Sequence, residues 1–230
     1  MQAQEKNKIT RYLSRIFVII WLFFALYLPP ENATGFDFNL LHENLIRHTG
    51  LETDFSDWRG LIEAAKKQTT PNQLKSVNDF FNQKVKFESD AQIWNKNDYW
   101  ATPMQTLGIR RGDCEDYSIA KYFTLAAIGV PEDKLRLMYV QALKYNQAHM
   151  VLAYYPAPDA EPLVLDNLNP EILPAGARTD LKPVYSLARH GDEAAKDTQD
   201  VSGRMREAMR QTRMSVWESL IKRAQKEGFD

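Results

Sequence analysis

From Phe36 to about Phe87 the apolar positions recur at helical spacing. Leu40, Leu41, Leu45 and Ile46 form one stripe, and Trp58, Leu61, Ile62 and Ala65 a second, each near a 3.6-residue period. Thr70-Pro71 interrupts this run, and proline suits the first turn of a helix, where its missing N–H removes no bond. A third helix is expected from there, with Leu74, Val77, Phe80, Phe81 and Val85 facing a core. The stretch from Ala91 to Met104 (AQIWNKNDYWATPM) is aromatic and rich in turn formers but has no period, so it reads as irregular. Its Trp94, Tyr99 and Trp100 either wall a groove or pack beneath a loop.

Helical spacing resumes at Cys114, runs through Ile119, Tyr122, Phe123 and Ala126, and stops at Gly129 and Pro131. Beyond that the period changes to two. Leu135 to Tyr145 (LRLMYVQALKY) alternates apolar and polar, Asn146-Gln147 makes a turn, and His149 to Tyr155 (HMVLAYY) is a second strand. Pro162 to Asp166 (PLVLD) is a third and Val184 to Leu187 a fourth, which together predict an antiparallel meander. Residues 191 to 203 are polar and read as a loose connection. A last helix from about Ser202 to Lys226 carries Met205, Met209, Val216, Leu220 and Ile221 on one side, an amphipathic pattern suited to packing on the domain. The order gives an α+β fold: N-terminal helices, then a Cys-bearing helix packed on an antiparallel sheet.

The chain of 230 residues, 44% apolar, suits one domain over residues 36–230 and would crowd two. A net charge of −1 supplies no global field toward nucleic acid or anionic membranes, and no nucleic-acid partner is expected. A single cysteine excludes an internal disulfide and a thiolate zinc cluster. The first 35 residues look like an address: Lys6, Lys8, Arg11 and Arg15 precede the apolar run Ile16 to Leu28. That run is shorter than the roughly 20 residues of a bilayer span. Pro29-Pro30 and the small residues Ala33-Thr34-Gly35 follow, so the segment is either a signal peptide cut after Gly35 or an uncleaved signal anchor. Both mean export.

A lone cysteine is either a buried small hydrophobe or a reactive thiol. Cys114 sits where the loop Arg111-Gly112-Asp113 meets a helix start, and there the unpaired amides and helix dipole lower a thiol pKa and can receive an oxyanion. His149 opens a strand just after a tight turn; alone on an apolar strand, a histidine also reads as structural. Asp166 ends a strand expected one place over, where a carboxylate accepts from the imidazole and fixes its tautomer. Each signal is weak alone. Together, in the order helix, strand, strand, they point to nucleophile Cys114, base His149 and orienter Asp166. The same triad serves peptide hydrolysis or a transglutaminase or amidase acyl transfer, and a non-catalytic binding module on this fold would usually have lost it. The Cys114 amide is one candidate oxyanion donor, and an indole N–H of Trp94 or Trp100 a second.

Asp113, Glu115 and Asp116 crowd this thiol, and negative charge beside it opposes thiolate formation. Glu115 and Asp116 are either first-turn acids, worth roughly 0.3–1 kcal/mol each against the helix dipole, or ligands of a hard cation. Calcium takes about six to eight oxygens and would offset the acids. Carbonyls of the Val130 to Leu135 turn are candidates to complete its shell.

Gly112-Asp113-Cys114-Glu115-Asp116-Tyr117, His149-Met150-Val151 and Val164-Leu165-Asp166-Asn167 resemble the transglutaminase-like cysteine protease superfamily. Trp94, Asp98-Tyr99-Trp100, Thr102-Pro103 and the GDCEDYSIAKYFTL run look more closely like bacterial periplasmic adhesin-releasing proteases of the LapG type, over about residues 40 to 190. The resemblance implies a papain-like α+β fold and endoproteolysis. It implies as substrate the N-terminal region of a large surface adhesin, cut at a di-alanine site, so that the adhesin is released and the biofilm disperses. It also implies control by an inner-membrane cyclic-di-GMP receptor that sequesters the protease, and Ca2+ held by Asp113, Glu115 and Asp116.

Overall fold

A computed structural model describes residues 36–49, 52–187 and 201–229. The address segment expected over residues 1–35 and most of the loose connection expected over 191 to 203 lie outside them. Three helices come first: α1 (Phe38–Thr49), α2 (Glu52–Ala65) and α3 (Thr70–Lys84). Thr69 is the N-cap of α3, and Pro71 stands in its first turn as its fixed φ favours. The helical stripes point inward: Leu41, Trp58, Ile62, Ala65, Leu74, Val77 and Phe81 are all buried.

The segment read as irregular contains two short helices, α4 (Asp90–Trp94) and α5 (Pro103–Ile109). Capping creates them rather than periodicity. Thr102 and Gln105 exchange bonds, the Gln105 N–H donating to Thr102 Oγ1 (3.3 Å) and the Thr102 N–H to Gln105 Oε1 (3.0 Å). Ser89 and Gln92 pair likewise at α4. Elements of one or two turns leave no repeating stripe for a sequence pattern to register. Between these helices and the next, β1 (Lys86–Phe87) and β2 (Arg111–Gly112) form a small parallel pair that delivers the chain to Asp113.

Helix α6 (Cys114–Ile128) is buried along most of its length because it is covered on both sides, by α3 and α5 and by the sheet. Gly129 closes it at φ 103°, a left-handed position that glycine occupies without strain. A five-stranded sheet follows in the order β6-β5-β4-β3-β7. Its strands are β3 (Leu135–Ala142), β4 (Gln147–Tyr154), β5 (Leu163–Leu165), β6 (Leu173–Pro174) and β7 (Leu181–Leu187). The β3–β4 turn contains Asn146 at φ 49°, and the pairing Val140↔His149 puts the histidine near the start of β4.

The meander expectation holds for β3, β4 and β5 and fails for the last strand. β7 crosses back to the open edge of β3. Pro183 lies in it and cannot donate to a ladder, which suits an edge position. Alternation along a strand says which residues point inward but not which neighbour it takes.

The C-terminal helix α7 (Val201–Glu227) packs through Trp217, Leu220 and Ala224, with Phe229 following it into the core. Trp217 meets Tyr122 edge-on at 5.3 Å, joining α7 to α6. Of the stripe expected on α7, Leu220 is buried and Val216 and Ile221 half-buried, but Met209 is 47% exposed; the side chain of Met205 lies outside the description. No helix among the described residues is long and apolar enough to cross a membrane.

Candidate active site

Cys114 is the first residue of α6 and half-buried, with Asp113 as N-cap. Two ties hold this turn in place. Asp116, wholly buried, accepts from the Asp113 N–H (3.3 Å) and from the Ala101 N–H (2.8 Å), locking the helix start to the segment before α5. The Ser118 hydroxyl points between the Cys114 carbonyl (2.9 Å) and the Met150 carbonyl (3.1 Å), joining α6 to β4 one residue beyond His149. Gly112 is needed before the turn, since a Cβ there would stand 2.7 Å from the Asp116 Cβ.

His149 and Asp166, on β4 and just past β5, are brought together. His149 Nε2 lies 2.8 Å from Asp166 Oδ1, and both side chains are buried. What stands behind them carries no local signal in the sequence. Arg178, only 2% exposed, donates from Nη2 to Asp166 Oδ2 at 2.6 Å, and its Nε and Nη2 both reach Asp180 at 2.8 Å. The Leu168 N–H donates to Asp166 Oδ1 (3.0 Å), and Asn82 Nδ2 to the Asp166 carbonyl (2.8 Å). Burial opposes ionisation of Asp166, but His149, the Leu168 amide and Arg178 outweigh it and hold the carboxyl at about 2. The aspartate therefore stays charged and fixed.

The thiol environment has the opposite character. Cys114 Sγ lies 2.8 Å from Glu115 Oε2. Burial first, then the charges of Glu115 and Asp113, push the thiol well up, against a smaller pull from the Met150 amide. The indole N–H groups of Trp94 and Trp100 are both buried with no hydrogen-bond partner among the described residues.

The three acids expected as ligands are joined by two that the sequence did not mark. Carboxylate oxygens of Asp90, Asp113 and Asp116 lie within 4.8 Å of one another, as do those of Asp90, Asp98 and Glu115. Burial and mutual repulsion push Asp90 up to about 6 and Asp113 up to about 10. Oδ1 of Asp90 and of Asp113 are buried with no hydrogen-bond partner among the described residues. Oxygen-only, carboxylate-rich and under-satisfied, this group fits a hard cation such as calcium. Asp90 and Asp98 were not expected as ligands because one directly precedes and the other lies within the stretch that has no period; the Ser89–Gln92 cap was the available signal. The Val130 to Leu135 turn, expected to supply carbonyls, is at the other end of α6. Fifteen residues at 1.5 Å each put it about 20 Å away.

The helices, the antiparallel sheet, a thiol at a helix start tied through Ser118 to strand β4, and the buried imidazole–carboxylate pair on β4 and just past β5 define a cysteine proteinase with a transglutaminase-like core. The profile of the family described as "Bacterial transglutaminase-like cysteine proteinase BTLCP" matches residues 58–186, and the chain belongs to that family. Among solved structures, Legionella pneumophila LapG is 40% identical over 82% of this chain and 97% of its own, with a TM-score of 0.68. The EGTA-treated form of that protein gives the same figures. The calcium-bound form is 40% identical over 75% of this chain and 98% of its own, with a TM-score of 0.63. The chain is thus a cysteine protease of the LapG type. No curated protein sequence matches it.

Proposed function

We propose that the chain is a calcium-dependent periplasmic cysteine endopeptidase that cuts the N-terminal region of a large surface adhesin, releasing it and promoting biofilm dispersal. On this reading an inner-membrane cyclic-di-GMP receptor is its inhibitory partner. The observation that carries it is the 40% identity to L. pneumophila LapG along 97% of that protein. The buried His149–Asp166 pair, on strands beside the helix that begins with the only cysteine, supports it. The basic, apolar and small-residue order of residues 6–35 supports export.

In the reaction, the Cys114 sulfur attacks the scissile carbonyl carbon and forms a C–S bond. The Cys114 N–H and an indole N–H, from Trp94 or Trp100, receive the charge that develops on oxygen. With its Nε2–H held by Asp166, His149 keeps a lone pair on Nδ1, takes the thiol proton there and returns it to the amine as the C–N bond breaks. Water then attacks the thioester, losing a proton to His149, and as the C–S bond breaks the sulfur takes that proton back from His149 to restore the thiol. Asp166, with its carboxyl at about 2, steadies the ring and takes no proton.

Asp113, Glu115 and Asp116, together with Asp90 and Asp98, are the residues that would hold calcium. What calcium supplies when bound is positive charge against the acids flanking the thiol. The calcium-bound and EGTA-treated forms of L. pneumophila LapG support calcium as the metal.

The test is cleavage of a candidate adhesin fragment by the full chain. Cutting is expected in calcium, is lost in excess EGTA, and returns when calcium is restored; full activity in EGTA would discard the calcium requirement. Cys114→Ala is expected to fold and cut nothing, and near-wild-type cutting would end the mechanism. Amine incorporation in place of hydrolysis would move the chain to transglutaminase chemistry.

A further inference from the structure

Beside the catalytic centre, the first half of α7 leans over two tyrosines and leaves a cleft of about 440 Å3 between. Its floor is the pair Tyr139 on β3 and Tyr185 on β7, directly opposite in the ladder and stacked at 4.8 Å with planes 4° apart. Ala208, Met209, Thr212 and Arg213 of α7, together with Asp98, complete the lining. Through Asp98 the cleft is linked to the acid beside the nucleophile. Glu115, whose Oε2 lies 2.8 Å from Cys114 Sγ, has a carboxylate oxygen within 4.8 Å of one on Asp98.

The lining is chemically one-sided. The stacked rings contribute aromatic surface to the lining, and Met209 is a large apolar side chain 47% exposed there. The one cation of the lining, Arg213, is already bonded to the one anion, Asp98, and its guanidinium lies 5.8 Å from the Trp100 ring centre and 5.9 Å from that of Tyr139. A charged side chain entering here meets counter-charges that are taken, and would lose its hydration for nothing. An aliphatic or aromatic one is buried on rings and a thioether. The volume lies in the range of sites that hold small molecules, roughly 300–1,000 Å3, and suits one or two side chains of an extended peptide.

We propose that this cleft is a specificity subsite of the protease, taking an uncharged apolar side chain of the polypeptide substrate close to the scissile bond, with Tyr139, Tyr185 and Met209 as its selecting residues. The proposal rests on the endopeptidase reading, and it makes α7 part of the substrate site.

The experiment keeps the two readings apart. An array of immobilised decapeptides, varied one position at a time, is bound by the full chain carrying Cys114→Ala, and internally quenched versions are turned over by the chain with Cys114 intact. Ala208→Trp and Met209→Trp fill the cleft from exposed positions on α7, so the fold is retained. Each should weaken binding of peptides with a large apolar residue at one position by about tenfold or more, the worth of one buried side chain. The preference at that position should disappear while the others stay. Alkylation of Cys114 by iodoacetamide, which needs no subsite, should remain within about twofold in both variants. Unchanged binding and an unchanged preference overturn the subsite even if the peptides are cut. Loss of binding on filling sustains it even if no peptide is cut, in which case the endopeptidase reading falls instead.

Discussion

Lys121 stands two turns beyond Cys114 on α6, 1% exposed, and its Nζ has no hydrogen-bond partner among the described residues. Its closest compensation is the Tyr117 ring, 5.8 Å away, and the fields of Asp166 and Asp79. Burial outweighs these and pulls the ammonium from its ordinary 10.5 down to about 7. Below about pH 7 both folded and unfolded chains hold this proton; between about 7 and 10.5 only the unfolded chain does. Folding stability contributed by this site therefore rises with pH across that window. The gap between 10.5 and about 7, at about 1.4 kcal/mol for each pH unit, caps the rise at about 5 kcal/mol. Water drawn toward a buried cation makes the realised value smaller. Lys121→Met keeps the volume and removes the titration. Urea unfolding of both proteins at fixed calcium, from pH 6 to 10, isolates the effect, because the other groups cancel in the difference. Lys121→Met should be the more stable protein at pH 6, and its advantage should shrink by several kcal/mol by pH 10. A difference that does not change with pH would refute the reasoning.

Three further outcomes follow from the site. Arg178→Met strips a partner from the buried Asp166 carboxylate and should cost about 3–5 kcal/mol in unfolding free energy. Because Asp166 is held at about 2 instead of 3.8, its stabilisation is present above about pH 4 and lost as the pH falls toward 2. In Arg178→Met that acid limb should flatten in thermal melts; an unchanged limb would count against the pair. Gly112→Ala forces a Cβ to 2.7 Å from the Asp116 Cβ, so the nucleophile turn must shift, with a cost of about 1–3 kcal/mol and a fall in kcat/KM of about a hundredfold. Wild-type kinetics would show that the turn yields freely. Calcium at about a hundred times its Kd should stabilise the wild type by about 2.7 kcal/mol; the gain should drop in Asp90→Asn, and an equal gain would remove Asp90 from the ligand set.

How much of this was legible in the sequence depends on the range over which each signal acts. Helix α6 is announced by Gly112-Asp113 before it, an apolar period along it and Gly129 after it, all local. Strands β3 and β4 show their alternation, and the bond between His149 and Asp166 then follows from adjacent strands. Arg178 lies between two strands, and only the fold aims it at Asp166. Asp90 and Asp98 are 24 and 16 positions before Cys114 and reach the acids beside it through the folding of the capped helices α4 and α5. The strand order likewise depends on which edge is open once the sheet has formed, and that is a tertiary fact.

The acids around the thiol also show why the resting site is held back. The start of α6 offers Cys114 a dipole worth about 0.3–1 kcal/mol, or up to about 2 in a buried geometry. One carboxylate about 4 Å away opposes a thiolate by about 4 kcal/mol at an effective dielectric of 20, and Glu115 Oε2 is nearer, at 2.8 Å. The chain's own charges therefore oppose the nucleophile that the helix start would otherwise favour. Arg213, bonded to Asp98, neutralises one acid from outside the group, and Ser118 and Asp116 fix the turn without adding positive charge. The remaining deficit is electrostatic, and a hard cation held by these acids would supply the positive charge to offset it.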